Sequence, residues 1–297
     1  MRGIVAQGGD VTRPAGGRWA VLHRIAMEGQ GPIDSARTDA RGRYALRLGA
    51  VDSTAIYLVS VFHQGVAYFS QPLRLHAGAV LPTDTLWIFD TTTAGPAIHV
   101  DQRLVTVAAP KNDGARDALE IVTLSNPGHR TRIARDTLTP VWAGAIPAGA
   151  LQFQIGSGDF SAQSAARVGD SVAVFGAVQP GGGKQVSYGY TLPAGTRQFA
   201  IPIDQPVGEI QLLLEDTTAG VTAPGLRALG VEAIEGRRFA RYLADSLPSH
   251  AIVVITYGAA PFRIQQLIPF VVALLALVLA GGFWFAVKRG GPPTTSH

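Results

Sequence analysis

The chain has 297 residues and no cysteine, which excludes disulfide bonds, thiolate nucleophiles and cysteine metal sites. Its 25 Lys and Arg and 21 Asp and Glu give a formal net charge of +4. A C-terminal apolar run is flanked by three of the cations, Arg263, Lys288 and Arg289, and every Asp and Glu precedes it. The body before the run therefore carries 22 Lys and Arg against 21 Asp and Glu. Because the body is nearly neutral, we expect no nucleic-acid partner.

Composition also favours one fold class. Only 15% of the residues are charged, whereas there are 35 Gly and 19 Pro, a mixture typical of β-structure with many turns. Residues 1–262 precede the apolar run and suffice for two domains, each with its own core. We therefore predict an all-β body of two Ig-like or transthyretin-like β-sandwiches, residues 1–95 and 96–262, followed by one transmembrane helix.

The first segment contains short runs that alternate apolar and polar side chains, as half-buried strands do. Residues 18–25 and 43–48 are two such runs, and the turn residues 38–42 lie between them. Further strands are predicted at residues 55–62, 66–69 and 84–90.

Several short motifs give this segment a resemblance to a known family. They are Gly3-Ile4-Val5, Ala20-Val21-Leu22, Thr38-Asp39, Gly42-Arg43-Tyr44, Tyr57 within a strand, and Asp90-Thr91-Thr92 at the end of the closing strand. The segment resembles the carboxypeptidase regulatory-like, or transthyretin-like, β-sandwich domain over about a third of the chain. The resemblance implies a non-catalytic accessory or adhesion module.

The second segment is again rich in strand patterns. Strands are predicted at residues 104–109, 119–124, 172–178, 187–192, 208–214 and 251–257, each bounded by turn residues. Residues 226–243 could be taken for a helix, but Gly230 and Gly236 interrupt the run. We predict a hairpin there, in which residues 231–234 pair with residues 239–242.

Two glycine-rich stretches resemble catalytic motifs without matching them. Residues 179–184 (QPGGGK) lack the full spacing of a phosphate-binding loop and lie between two predicted strands, so we interpret them as a hairpin tip. Residues 156–158 (GSG) lack the frame and the strand-to-helix setting of a hydrolase elbow, so we interpret them as a turn.

Other candidate chemistry is scattered. The body's histidines occur singly and are expected to be exposed or incidental: His23, His63, His76, His99, His129 and His250. A glycosidase would need two acids facing each other across a cleft. The acid pairs Asp113/Asp117 and Glu215/Asp216 are interpreted more simply as residues of a loop and of a strand end. Trp19, Trp87 and Trp142 are expected in the core, with a sugar-binding platform as the alternative. We expect no enzymatic activity, no cofactor and no bound metal.

The apolar run covers residues 267–287, which carry no charge. At ~1.5 Å of rise per residue, its 21 residues would span ~31 Å, the thickness of a bilayer's hydrocarbon core. Lys288 and Arg289 follow at once, which places residues 290–297 in the cytoplasm. The aromatic residues Phe283, Trp284 and Phe285 are then expected at the membrane interface. We predict a membrane segment over residues 263–289.

This topology places residues 1–262 outside the inner (cytoplasmic) membrane, in the periplasm. Residues 1–10 contain no apolar stretch of a signal peptide. We expect a leader that was removed or lies outside this numbering. The alternative is a tail-anchored protein whose body stays in the cytoplasm.

Small residues mark one face of the predicted helix. Ala273, Ala276, Ala280 and Gly281 fall near that face, and Ala276 and Ala280 form a small-xxx-small pair that lets another helix approach closely. The alternative is an ordinary anchor in which Ala and Gly are filler.

Together these patterns predict a structural or assembly subunit of a larger bacterial membrane complex. The expected partners are membrane subunits, contacted by the helix and the β-domains, and the lipid bilayer. An energy-transducing complex, such as a photosynthetic reaction centre with its antenna, is the first example, although no motif binds pigment, haem or quinone. The alternative is a membrane-anchored binding module for peptide or glycan, and a membrane-tethered hydrolase comes third.

Overall fold

A computed structural model of the chain describes residues 1–76 and 84–258. Within these ranges it contains 24 β-strands and no α-helix, so the prediction of an all-β body is confirmed for this part of the chain. Met1–Tyr257 form one compact unit. Its buried apolar side chains fall into two separate hydrophobic clusters.

The first cluster lies between the two sheets of what we call the N-terminal β-region. Its strands are β1 (Arg2–Gln7), β2 (Asp10–Pro14), β3 (Trp19–Ala26), β4 (Gly29–Arg37), β5 (Arg43–Ala45), β6 (Ile56–His63), β7 (Val66–Phe69), β8 (Leu73–Arg74) and β9 (Asp84–Ile88). One sheet has the order β2-β1-β5, and β9 pairs with β1 in parallel. The other sheet has the order β4-β3-β6-β7, and β8 also pairs with β6.

Alternation explains how these two sheets bury a common core. In β6, Tyr57, Val59 and Val61 are buried, and the residues between them are not. They share a cluster with Val5 of β1 and Leu86 of β9, on the facing sheet. The two layers therefore pack through one face each and leave the other face of each sheet outward.

The structure corrects the predicted role of residues 38–42. Strand β4 precedes this turn and forms a hairpin with β3, so the turn leads from β4 to β5, which lies in the other sheet. Gly42 is required there, because its φ is +72° and an added Cβ would lie 2.3 Å from the Val5 carbonyl oxygen. The sequence of β4, with two glycines and Pro32, looks like a loop, but its position at the sheet edge tolerates proline.

The rest of the compact unit is the central β-region, joined to the first by the short strands β10 (Thr91–Thr92) and β13 (Thr131–Arg132), which pair in parallel. Its other strands are β11 (His99–Val107), β12 (Arg116–Ser125), β14 (Trp142–Ala145), β15 (Leu151–Ile155), β16 (Ala165–Val168), β17 (Ser171–Val174), β18 (Lys184–Leu192), β19 (Gln198–Ile203), β20 (Val207–Leu214), β21 (Gly220–Thr222), β22 (Arg227–Ile234), β23 (Arg237–Ala244) and β24 (Ala251–Thr256).

A seven-stranded sheet of order β15-β18-β12-β11-β20-β23-β22 forms one side of this region. Two three-stranded sheets, β14-β17-β16 and β19-β24-β21, contribute to the same cluster from the opposite side. Val105 and Leu212 from the large sheet thus share a core with Val172 and Val253 from the small ones.

Two predictions on local structure have opposite outcomes here. Residues 226–243 do form a hairpin, β22–β23, with Glu235 and Gly236 in left-handed conformations at its two-residue turn. The prediction of a hairpin tip at residues 179–184 is wrong. This stretch connects β17 in a three-stranded sheet to β18 in the seven-stranded sheet.

Strand β11 runs away from the N-terminal β-region, towards the end of the compact unit that contains Tyr257. β11 starts at His99, a few residues after β10 ends at Thr92. The last residue of β11, Val107, pairs with Leu214. Arg116 and Asp216 lie at that far end, and the Arg116 guanidinium carbon is 3.8 Å from the ring centre of Tyr257. A nine-residue strand spans about 30 Å, so Tyr257 lies about that far from the N-terminal β-region.

Candidate functional site

The outward face of the sheet β4-β3-β6-β7 is unusually apolar. Trp19, Phe62 and Phe69 project from it with 58%, 68% and 59% of their surfaces exposed. Ala20 pairs with Val61, so the neighbouring residues Trp19 and Phe62 lie opposite each other. The solvent face of an antiparallel sheet normally carries polar side chains, so this surface indicates a binding site.

We call this surface the apolar face and define it by the outward residues of β3, β6 and β7. These residues are Trp19, Val21, His23, Ile25, Ile56, Leu58, Ser60, Phe62, Ala67 and Phe69. No charged residue occurs in β6 or β7, and Arg37 lies opposite Trp19 at one end of the face. A partner would therefore bury apolar area without desolvating a charge near its centre.

A groove crosses the middle of the apolar face. It has a volume of about 480 Å³ and is lined by residues of all four strands, among them Gln30, His23, Leu58 and Phe69. The His23 Nε2 atom lies 2.8 Å from the Ser60 Oγ atom, which gives the groove one polar pair in apolar surroundings. Such a groove suits an apolar side chain with one polar group beside it.

The structure corrects two expectations at this end of the molecule. Trp19 was expected in the core and is exposed, whereas Trp142 is buried as expected. His63 was expected to be exposed, but it is only 4% exposed, and its Nε2 atom lies 3.1 Å from Asp90 Oδ1. This hydrogen bond lowers the pKa of Asp90. Asp90 also accepts a hydrogen bond from Gln7, so it ties β6 to β1.

A polar cluster buried inside the central β-region was missed by the sequence patterns. Glu120 is 0% exposed and accepts hydrogen bonds from Arg103 Nε at 2.7 Å, Tyr188 Oη at 2.9 Å and Tyr190 Oη at 2.8 Å. Arg103 also donates to the carbonyl oxygens of Pro202 and Ala145. The signal was present, because Glu120 occupies an inward position of β12 between buried apolar residues.

Charge and burial compete within this cluster. Burial is the largest single influence on the pKa of Arg103 and lowers it, but the charge of Glu120, together with the Glu120 hydrogen bond and the two neighbouring tyrosines, raises that pKa overall. Burial raises the pKa values of both Tyr188 and Tyr190, and the charge of Glu120 adds to the effect. The arginine therefore stays charged and both tyrosines stay neutral. This enclosed, hydrogen-bonded ion pair therefore holds β11, β12 and β18 in position.

The predicted acid pairs do not face each other across a cleft. Asp117 forms an ion pair with Lys111, with 2.7 Å between Oδ1 and Nζ. Asp216 forms an ion pair with Arg116, with 3.0 Å between Oδ2 and the guanidinium nitrogen. Glu215 forms an ion pair with Arg237. Within residues 1–76 and 84–258, no three His, Cys, Asp or Glu side chains are grouped as metal ligands would be.

The predicted membrane residues lie outside the described part of the chain. This holds for the helix-packing residues Ala273, Ala276, Ala280 and Gly281, and for Phe283, Trp284, Phe285, Lys288 and Arg289 at the expected interface. Among the residues that the structure describes, no helix is long and apolar enough to cross a bilayer.

Comparison with known proteins adds no family. No protein-family model matches the chain, and a search of curated proteins also found no match.

Proposed function

We propose that the chain is a non-catalytic, single-pass membrane protein that docks a partner protein through the apolar face. In this proposal the two β-regions are β-sandwiches, the first of them similar to carboxypeptidase regulatory-like domains, and residues 267–287 are the anchor. The protein would act as a structural or assembly subunit of a bacterial membrane complex, with its β-regions in the periplasm. The identity of that complex, a photosynthetic one included, stays a prediction.

The observation that carries this proposal is the exposure of three aromatic side chains on one sheet face, whose strands β6 and β7 carry no charged residue. Aromatic residues are enriched at the centres of protein interfaces, where a few of them account for most of the binding energy. An isolated exposed apolar residue would need no explanation, but a continuous face does.

The groove in the apolar face favours a protein partner over lipid. Its His23–Ser60 polar pair lies among apolar side chains and suits a polar group beside an apolar side chain. A membrane subunit that exposes such a pair of groups is the partner that this groove fits.

The test is co-purification from native membranes in mild detergent. Replacing Phe62 and Phe69 by Ser should remove much of the buried apolar area while leaving the core intact, since both side chains point outward. We expect the partner subunits to be lost from the purified complex. Val168→Ser is the control, because Val168 is 57% exposed on β16, which belongs to a different sheet in the central β-region.

A second arm addresses the anchor. Replacing Ala276 and Ala280 by Leu keeps the segment apolar but prevents close helix contact, so insertion should survive while association weakens. Retention of all partners by the Phe62→Ser, Phe69→Ser variant would refute docking through the apolar face, whatever the leucine variant does. Retention by the leucine variant alone would reduce the anchor to a tether and leave the apolar face as the docking site.

A further inference from the structure

A polar trough lies on the outward face of the seven-stranded sheet, in the central β-region. It has a volume of about 250 Å³ and is lined mainly by polar side chains of β15, β18 and β12. Gln152 and Gln154 form one wall, and Asp117 with Lys111 forms the other. The strands of the two walls are two spacings apart, roughly 10 Å between backbones. The Thr191 side chain bridges Asp117 and Gln152 across this gap, so the space for a pyranose ring lies above Gly189.

The floor of the trough is open because of one glycine. Gly189 of β18 pairs with Gln154 on one side and Leu119 on the other. An added Cβ would approach the Ala118 carbonyl oxygen only to 3.4 Å, and no left-handed φ occurs at this position. Neither packing nor backbone conformation requires glycine here, so its effect is to leave space above the strand.

The walls present hydrogen-bonding groups that are only partly used. The Thr191 hydroxyl lies 2.9 Å from Asp117 Oδ1 and 3.1 Å from Gln152 Oε1, so its single proton serves one of them at a time. Among the described residues, the Gln154 amide and Asp117 Oδ2 take part in no hydrogen bond. Amides both donate and accept, as sugar hydroxyls do, and a carboxylate accepts from two adjacent hydroxyls.

The backbone of one wall is held in an uncommon conformation. Gln152 has φ +48° at the point where the pairing of β15 with β18 shifts register. A non-glycine residue in the left-handed region costs free energy, and bulges often redirect a side chain at a functional site. Here the strained residue places its amide over the trough, next to Thr191.

The trough's lack of net charge and its apolar floor indicate which class of ligand it would bind. Lys111 and Asp117 neutralise each other at 2.7 Å, so the trough has no net charge to attract an ion. Leu119, opposite Gly189, leaves 43% of its surface exposed beside the floor and offers an apolar contact. We propose that this trough binds one ring of a neutral oligosaccharide, whose hydroxyls meet the amides and whose C–H face lies on Leu119 and the Gly189 backbone.

The test is calorimetric titration of the full chain in lauryldimethylamine oxide, since detergents with sugar head groups would compete. The probes are maltotetraose, cellotetraose and N,N′,N″,N‴-tetraacetylchitotetraose. We expect at least one to bind with a Kd below roughly 1 mM. Gly189→Val, which fills the floor, and Gln154→Ala, which removes a free amide, should each weaken binding about tenfold or more. Gln198→Ala is the control, as Gln198 is also exposed on a strand, β19.

Gln152→Gly separates a binding role from a folding role. Glycine adopts φ +48° without strain, so the variant should melt no lower than the wild type while binding the tetrasaccharide less tightly. The proposal is overturned if none of the three probes binds. It is also overturned if Gln154→Ala and Gln152→Gly, both folded, bind as well as the wild type, or if Gln198→Ala weakens binding equally.

Discussion

Replacing Glu120 by Leu should severely destabilise the protein, because Glu120 is the only counter-charge that the buried Arg103 contacts among the described residues. Removing one partner of a buried ion pair costs about 3–5 kcal/mol. The hydroxyls of Tyr188 and Tyr190 also lose their acceptor, at about 1–3 kcal/mol each. The sum is at least about 5 kcal/mol, comparable with the whole stability of a small domain.

The measurement is thermal unfolding followed by circular dichroism. For a unit the size of Met1–Tyr257, 1 kcal/mol corresponds to about 2–4 °C, so we expect Tm to fall by roughly 10–20 °C. The comparison variant combines Arg103→Met, Glu120→Leu, Tyr188→Phe and Tyr190→Phe, which removes the charge and both hydroxyls together. It should recover most of the loss, though not the two carbonyl contacts of Arg103.

Two outcomes would refute this reasoning. A fall in Tm of less than about 3 °C for Glu120→Leu would mean that the arginine finds water or another acceptor, contrary to the enclosed geometry. If the fourfold variant were as unstable as Glu120→Leu, altered packing, and not the unpaired charge of Arg103, would account for the loss of stability.

The remaining predictions concern pH and a turn. Hydrogen bonds, first from Thr54 and then from Arg24, lower the pKa of Asp52 from 3.8 to about 2, so its stabilising effect is complete above pH ~4 and is lost towards pH 2. The guanidinium chloride concentration at the unfolding midpoint should therefore decrease as the pH is lowered from 5 to 2.5. It should decrease less for Asp52→Asn, and an equal decrease in the variant and the wild type would contradict this. Gly236→Ala should cost about 1–2 kcal/mol in chemical unfolding, because its φ is +78°, whereas Gly182→Ala should cost little.

Much of the fold could be predicted from alternation and turn residues. The hairpin β22–β23 was predictable because Gly236 punctuates two strand-like runs, although β22 is exposed along its whole length. Strand β4 was not, because its glycines and Pro32 have low strand propensity, and only pairing with β3 holds them extended. Local propensity fails where a neighbouring strand determines the conformation.

The candidate sites were harder to predict for a different reason. Alternation tells which residues share a face but not which face is outward, so Trp19 could not be distinguished from a core tryptophan. The apolar face requires β3, β6 and β7 to lie side by side, and the trough requires β15 next to β18. Both depend on contacts between residues distant in the sequence, which a single sequence does not reveal.

The parallel pairing of β11 with β20 has a consequence for how the chain folds. Val100 pairs with Val207, so 106 residues separate the two partners along the chain. During synthesis β11 can join β12 soon after both emerge, but its other edge stays unpaired until β20 has been made. An open strand edge is a template for pairing with other chains, so slow or crowded synthesis should promote aggregation of this half-made sheet.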